Sequence, residues 1–137
     1  MQRVNVVLVY DSEEKKVLMC LRAKDPYKGL YNLVGGKLFE AENGLAAAYR
    51  ELEEETGITG TDIRLFPLMI IEYPVIETTL EVYSGRLKKE VSLREEKNKL
   101  YWISVDEDFT DTNRFAGEGN IAHMILYAKA SKELFLL

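Results

Sequence analysis

The segment Arg50 to Gly57, RELEEETG, sets four glutamates in the last turns of what its periodicity predicts to be a helix, directly before a glycine. That is the costly end for negative charge. The exposed carbonyls of a helix C-terminus already carry partial negative charge, so each glutamate there loses about 0.3 kcal/mol or more. Like charges three and four residues apart repel by a further ~0.2 to 0.5 kcal/mol per pair. At ~100° per residue, Glu51, Glu54 and Glu55 share roughly a third of the helix circumference, beside an apolar stripe, while Glu53 falls on the other side. Carboxylates arranged this way form an oxygen-rich site for a hard cation, Mg²⁺ or Mn²⁺, which keeps positions for water and substrate phosphates. Arg50 stands three residues before Glu53 and four before Glu54, within reach to hold a carboxylate in place. Upstream, Gly35-Gly36 lets the backbone bend and approach a ligand closely. Taken singly, these features describe a solvated helix face, a surface ion pair and a turn.

Together they spell a spacing: Gly36, five residues, Glu42, seven residues, Arg50-Glu51-Leu52, one residue, Glu54-Glu55, one residue, Gly57-Ile58. This resembles the Nudix box of the Nudix hydrolases at every defined position. Seven fixed residue types at about one in fifteen each make a chance match near one in 10⁸ per start site, so coincidence is a poor explanation even in a glutamate-rich segment. The resemblance implies an α+β fold, the Nudix α/β/α sandwich with a mixed sheet. It implies Mg²⁺ or Mn²⁺ held by Glu51, Glu54 and Glu55 and by a backbone carbonyl of the glycine pair, Gly35. Glu42 and Arg50 become supports, with Arg50 orienting a catalytic carboxylate. The implied reaction is hydrolysis of a nucleoside diphosphate linked to another group, water attacking phosphorus. Glu51 or Glu54, or Glu95 or Glu96 of the REEK loop, would take the water's proton. A loop glutamate before the late strand adds a metal ligand in some MutT-like members, which singles out Glu95 and Glu96 against plain surface charge.

Two positions resemble the MutT-like branch, which removes pyrophosphate from oxidised nucleoside triphosphates. Arg22 matches a phosphate-binding arginine, and Asn32 stands where some purine-triphosphate members carry a base-contacting asparagine, whose amide can pair with adjacent donor and acceptor atoms. Val34 departs from the pattern, standing where most members have proline. Gly36 and Lys37 complete the expected substrate-binding set on this side. The loop TDTNRFAGEGN is the other candidate for a base pocket: Phe115 as a stacking ring or as core, Glu118 as an edge contact, Asn120 as an edge contact or a helix cap. The expected function is a Mg²⁺-dependent nucleotide pyrophosphohydrolase acting on a purine nucleoside triphosphate, oxidised or not, to give the monophosphate and pyrophosphate. ADP-ribose or dinucleotide hydrolysis and non-catalytic nucleotide binding are the alternatives.

The rest of the chain must position these groups. Two apolar runs, Val4 to Tyr10 and Lys16 to Arg22, flank the polar turn DSEEK and read as a hairpin of buried strands. LVGGKLF is a short strand interrupted by glycines. Leu45, Ala48, Tyr49 and Leu52 form the apolar stripe of a helix from Asn43 to Thr56, with Asn43 as N-cap and Gly57 as stop. DIRLFPLMIIEYP and VIETTLEVYSGRL read as two longer strands, with Pro67 and Pro74 marking a bulge or an edge. KLYWISV is a later strand holding Tyr101 and Trp102 as core, and a terminal helix starts near Gly119 with His123 packed within it. The 137 residues suit one domain spanning 1-137, with 47% apolar and 30% charged residues. A net charge of -5 argues against nucleic acid polymers and anionic membranes as partners and leaves small anionic nucleotides bridged by a cation. No apolar run approaches the ~20 residues of a membrane span. The single Cys20 reads as a small buried hydrophobe in a reducing compartment, so the expectation is a cytoplasmic monomer or homodimer.

Overall fold

The computed structural model describes residues 1–135. Strands β1 (Gln2–Tyr10), β2 (Lys16–Leu21) and β3 (Tyr31–Lys37) precede helix α1 (Gly44–Thr56). Strands β4 (Phe66–Tyr73), β5 (Thr78–Arg86) and β6 (Lys99–Ser104) then lead to helix α2 (Asn120–Phe135). The strands form one mixed sheet in the order β4-β5-β1-β3-β2-β6, in which β1 runs parallel to β5 and the other neighbours are antiparallel. Helices lie on both faces, so the α+β sandwich expected from the sequence is the fold observed.

Side-chain alternation along the strands divides the core in two. Val7, Val9, Leu18, Cys20 and Val34 pack against Ala48 and Leu52 of α1. Leu8, Val17, Met19, Leu33 and Val82 pack against Ile121 and Met124 of α2 and against Phe109 and Phe115. A strand covered on both faces needs apolar residues at successive positions, which is why β1 and β2 read as unbroken apolar runs.

Four local expectations change. The anticipated hairpin closes at only one aligned pair, Tyr10 with Val17, because β3 enters the gap where β1 and β2 diverge. β3 pairs with β1 through Val34 to Lys37 and with β2 through Tyr31 to Leu33, which puts the glycine pair in the middle of the sheet. On α1 the buried stripe is Ala47, Ala48, Leu52 and Thr56, whereas Leu45 is 39% exposed. On α2 the packed positions Ile121, Met124, Ile125 and Ala128 follow the spacing of one helix face, and His123 lies off that face, exposed beside Tyr127. The prolines behave as expected: β4 is an edge strand with an irregularity between Pro67 and Met69, and Pro74 opens a 3₁₀ turn. Tyr101, expected in the core, is 37% exposed and packs edge-on to Tyr31. Among the described residues, no helix is long and apolar enough to cross a membrane.

Candidate functional site

Helix α1 is tied at both ends. The Asn43 side chain accepts from the Ala46 N–H at 3.0 Å, and Gly57, in the left-handed region at φ 80°, donates its N–H to the Glu53 carbonyl. The acidic C-terminus also receives a cation from a distant loop. The Arg94 N–H reaches the Thr56 carbonyl at 2.8 Å, and its guanidinium reaches the Glu53 carbonyl at 3.3 Å. Part of the charge penalty at the end of α1 is therefore met by tertiary structure. Nothing local in the sequence marks Arg94 for this role, since it lies 38 residues beyond the helix.

Arg50 holds more carboxylates than its spacing suggested. Nε and Nη2 grip both oxygens of Glu42 at 2.8 and 2.9 Å, while Nη1 donates to Glu51 at 3.1 Å and to Glu54 at 3.2 Å. The guanidinium lies 4.0 Å from the Phe39 ring centre, and Nη2 also donates to the Lys37 carbonyl at 3.3 Å. Glu42 accepts from the Phe39 N–H as well. The Arg50 hydrogen bonds, helped by that N–H, hold the Glu42 carboxyl down to about 2. Arg50 itself is raised above the ordinary guanidinium range, chiefly by Glu42.

The glycine pair fits against this cluster in two ways. A Cβ on Gly35 would lie 2.1 Å from the Asn5 carbonyl oxygen, so β1 and β3 approach each other only because none is there. A Cβ on Gly36 would lie 2.5 Å from the Glu51 carboxylate, which occupies that space instead. The Gly36 N–H donates to Asn5 Oδ1 at 3.0 Å. Asn5 is 2% exposed, and its Nδ2 has no partner among the described residues. It was not recognised in the sequence because an asparagine inside an apolar strand carries no local signature.

Burial, with the charges of Glu51 and Glu96 adding to it, pushes the Glu55 carboxyl up to about 7, against the Gly35 backbone and Arg22. Burial also raises Glu51, opposed by Arg50. Of the two loop glutamates, Glu95 is committed to the Leu100 N–H at 2.7 Å, whereas the charge of Glu96 is felt at Glu55. As the side chains stand, no three acidic, histidine or cysteine groups among the described residues converge closely enough to hold a metal ion. Arg50 takes Oε1 of Glu51 and both oxygens of Glu54. The donor chemistry nevertheless fits a hard divalent ion: carboxylate oxygens beside a backbone that lacks side chains.

A cavity of about 520 Å³ opens beside this cluster, with Gly35, Gly36 and Glu55 on its wall. Arg22, just past β2, and Asn32 and Lys37 of β3 line it on one side, and Glu118 ahead of α2 and Asn120 at its first position line it on the other. Most of these side chains are already engaged. Arg22 Nε donates to the Pro26 carbonyl at 3.2 Å, Asn32 Oδ1 accepts from the Leu33 N–H at 2.8 Å, and Asn120 Nδ2 donates to the Tyr73 hydroxyl at 2.7 Å. Glu118 accepts from the Tyr27 hydroxyl at 2.8 Å across the mouth, a contact that the sequence did not reveal. Phe115 is a correction. It is 1% exposed, 4.8 Å from the Phe109 ring and 6.1 Å from Tyr31, so it belongs to the core and has no open face for a base.

The family model for the NUDIX domain matches residues 1–119. No curated protein matches the chain. Among solved structures, a MutT/nudix family protein from Enterococcus faecalis is 21% identical with a TM-score of 0.63; the match covers 75% of this chain but only 43% of that one. The C. elegans Ap4A hydrolase in a binary complex is 14% identical with a TM-score of 0.75, covering 95% and 96% of the two chains. The NUDIX domain of Shewanella oneidensis NrtR, complexed with ADP ribose, is 15% identical with a TM-score of 0.70, covering 93% and 86%. At these identities the likeness concerns the fold.

Proposed function

The chain belongs to the NUDIX-domain family, and from that premise we propose that it is a Mg²⁺-dependent nucleotide pyrophosphohydrolase acting on a purine nucleoside triphosphate to give the monophosphate and pyrophosphate. The observation that carries this reading is the shared wall: Gly35, Gly36 and Glu55 border both the acidic cluster and a nucleotide-sized cavity lined with amides and cations. A nucleoside in the cavity directs its phosphates toward the box carboxylates, with Arg22 and Lys37 supplying positive charge alongside. Asn32 and Asn120 offer amides, and Glu118 a carboxylate, to the edge of a purine.

Nudix hydrolases generally use divalent metal ions. Glu51, Glu54, Glu55 and the Gly35 carbonyl are the groups that would hold one here, with Glu96 better placed than Glu95 to join them. Bound metal stabilises charge on phosphate oxygens and acidifies water. Glu42 keeps Arg50 in place, so Glu51 and Glu54 are presented from a fixed frame. The buried free thiol of Cys20 suits a reducing, cytoplasmic setting.

The test is turnover of a panel comprising nucleoside triphosphates, dinucleotides, ADP-ribose and nucleotide sugars, in Mg²⁺ and in EDTA, with products identified. Monophosphate and pyrophosphate from a purine triphosphate support the proposal. Preferred cleavage of ADP-ribose or a dinucleotide moves the substrate to the alternative class. Saturable binding with no metal-dependent product from any member makes the domain a nucleotide sensor.

A further inference from the structure

The floor beneath the first turn of α1 is ionic. Glu81 of β5, 7% exposed, accepts from Arg3 Nε at 2.7 Å and from the Tyr83 hydroxyl at 3.0 Å. Arg3 turns a second nitrogen to the chain ahead of the helix: Nη1 donates to the Glu42 carbonyl at 2.9 Å, and the Arg3 carbonyl accepts from the Leu38 N–H. Gly44, the first helical residue, rests directly on this group. A Cβ there would lie 2.3 Å from both Glu81 Oε1 and the Tyr83 hydroxyl. The carboxylate thus sits at the positive end of α1. An ion pair with one partner this exposed, the Arg3 side chain at 38% against 10% for Glu81, adds little to stability alone, because solvent screens it. What it supplies is fixed geometry. Here that geometry ends on residue 42, whose carboxylate grips Arg50, which in turn holds Glu51 and Glu54.

We propose that Glu81, acting with Arg3, is a positioning residue for catalysis: it fixes the Glu42 backbone beneath α1 and so sets the place from which Arg50 presents the box carboxylates to a divalent cation. The inference rests on the metal-dependent reading above. Glu81 touches neither substrate nor the reacting atoms, and its influence passes through Arg3 and Glu42. It lies in a strand 27 residues beyond Glu54 and outside the spacing that defines the box.

The test compares wild type with Glu81→Gln and Arg3→Lys, and with Val17→Ala, a core truncation on the α2 face that has no contact with this chain of contacts. Melting temperature is followed against Mg²⁺ alone from an EDTA baseline, and kcat and KM are measured on whichever nucleotide turns over. For Glu81→Gln the Mg²⁺ concentration for half-maximal stabilisation should rise about tenfold, as when the outer partner of a metal ligand is lost. kcat should fall by about the same factor, with KM changed less than about twofold. Arg3→Lys, which keeps the charge but cannot span both partners, should fall between wild type and Glu81→Gln. Val17→Ala should lower the melting temperature without moving the Mg²⁺ dependence. If Glu81→Gln behaves like Val17→Ala, the pair is merely structural and the proposal is overturned. Should Glu81→Gln fail to fold, Tyr83→Phe removes one hydrogen bond from the same carboxylate, and an unchanged Mg²⁺ dependence there overturns it equally. A wild type indifferent to Mg²⁺ defeats the metal reading itself, a result distinct from a wild type and a Glu81→Gln variant that both respond at the same Mg²⁺ concentration, which defeats only the positioning role.

Discussion

Arg50 and two of the box glutamates, Glu51 and Glu54, form a set in which a cation and a guanidinium compete for carboxylate oxygens. Glu54, with its side chain 52% exposed and held only by Arg50, is the glutamate that can leave the clamp at least cost to the fold. Glu54→Gln is therefore expected to lower kcat by at least about 10²-fold with an unchanged melting temperature in EDTA, the range for a lost acid/base or charge-stabilising group. Wild-type turnover in this variant would show that the side chain is ordinary surface. Glu55 gives a pH prediction. Its folded carboxyl titrates at about 7 against an ordinary 4.5, so the native state binds the proton more tightly than the unfolded chain, and metal-free stability falls as pH rises through that window. Glu42, held at about 2, has the opposite sign: its contribution is present above 4.5 and is lost as pH falls toward 2. Melting curves in EDTA between pH 5 and pH 8 should fall for wild type and flatten for Glu55→Gln. Parallel slopes for the two proteins would remove Glu55 as the source.

The glycine pair shows what an element contributes that its residues alone do not. Adjacent glycines in β3 have different obstacles: backbone of β1 at Gly35, and the end of a flexible side chain at Gly36. Gly35→Ala is expected to destabilise the protein by about 2 kcal/mol or more, in the range of overpacking, because β1 and β3 must separate in mid-sheet. Gly36→Ala should fold with nearly the wild-type melting temperature, since Glu51 can swing aside. It should raise the Mg²⁺ requirement for activity, because the carboxylate is displaced. Denaturant unfolding and Mg²⁺ titration of both variants check the contrast. Equal destabilisation of the two would mean that Glu51 is not free to move.

At the scale of the whole molecule, the sandwich gathers like charges that a cation would relieve. Mg²⁺ should raise the melting temperature once its concentration passes its dissociation constant, by about 2.7 kcal/mol of stability at a hundredfold excess over that constant. Glu51→Gln/Glu55→Gln should be more stable than wild type in EDTA and should gain little from Mg²⁺, since repulsion and ligands are removed together. Thermal melts of both proteins in EDTA and in Mg²⁺ decide the matter. No gain for wild type, and no advantage for the double variant in EDTA, would mean that the acidic cluster is not a metal site.

The box, its helix with Asn43 and Gly57 as ends, and the α+β class were legible in the sequence, because spacing on a helix, capping and alternation are local and are written in consecutive residues. The prolines of the β4 edge were readable for the same reason. Tertiary structure decided what depends on which strands become neighbours. β3 entered between β1 and β2, and only that insertion brought Gly35 against Asn5 and Gly36 against Glu51. Arg94 met the end of α1, and Glu81 met Arg3 beneath its start, across 38 and 78 residues of chain. Phe115, open to two readings as a sequence, became core once Phe109 and Tyr31 packed around it. A sequence states which groups can do chemistry and at what local spacing. Which distant charges support them is fixed by burial, since an ionised group inside the molecule persists only where folding brings it a partner.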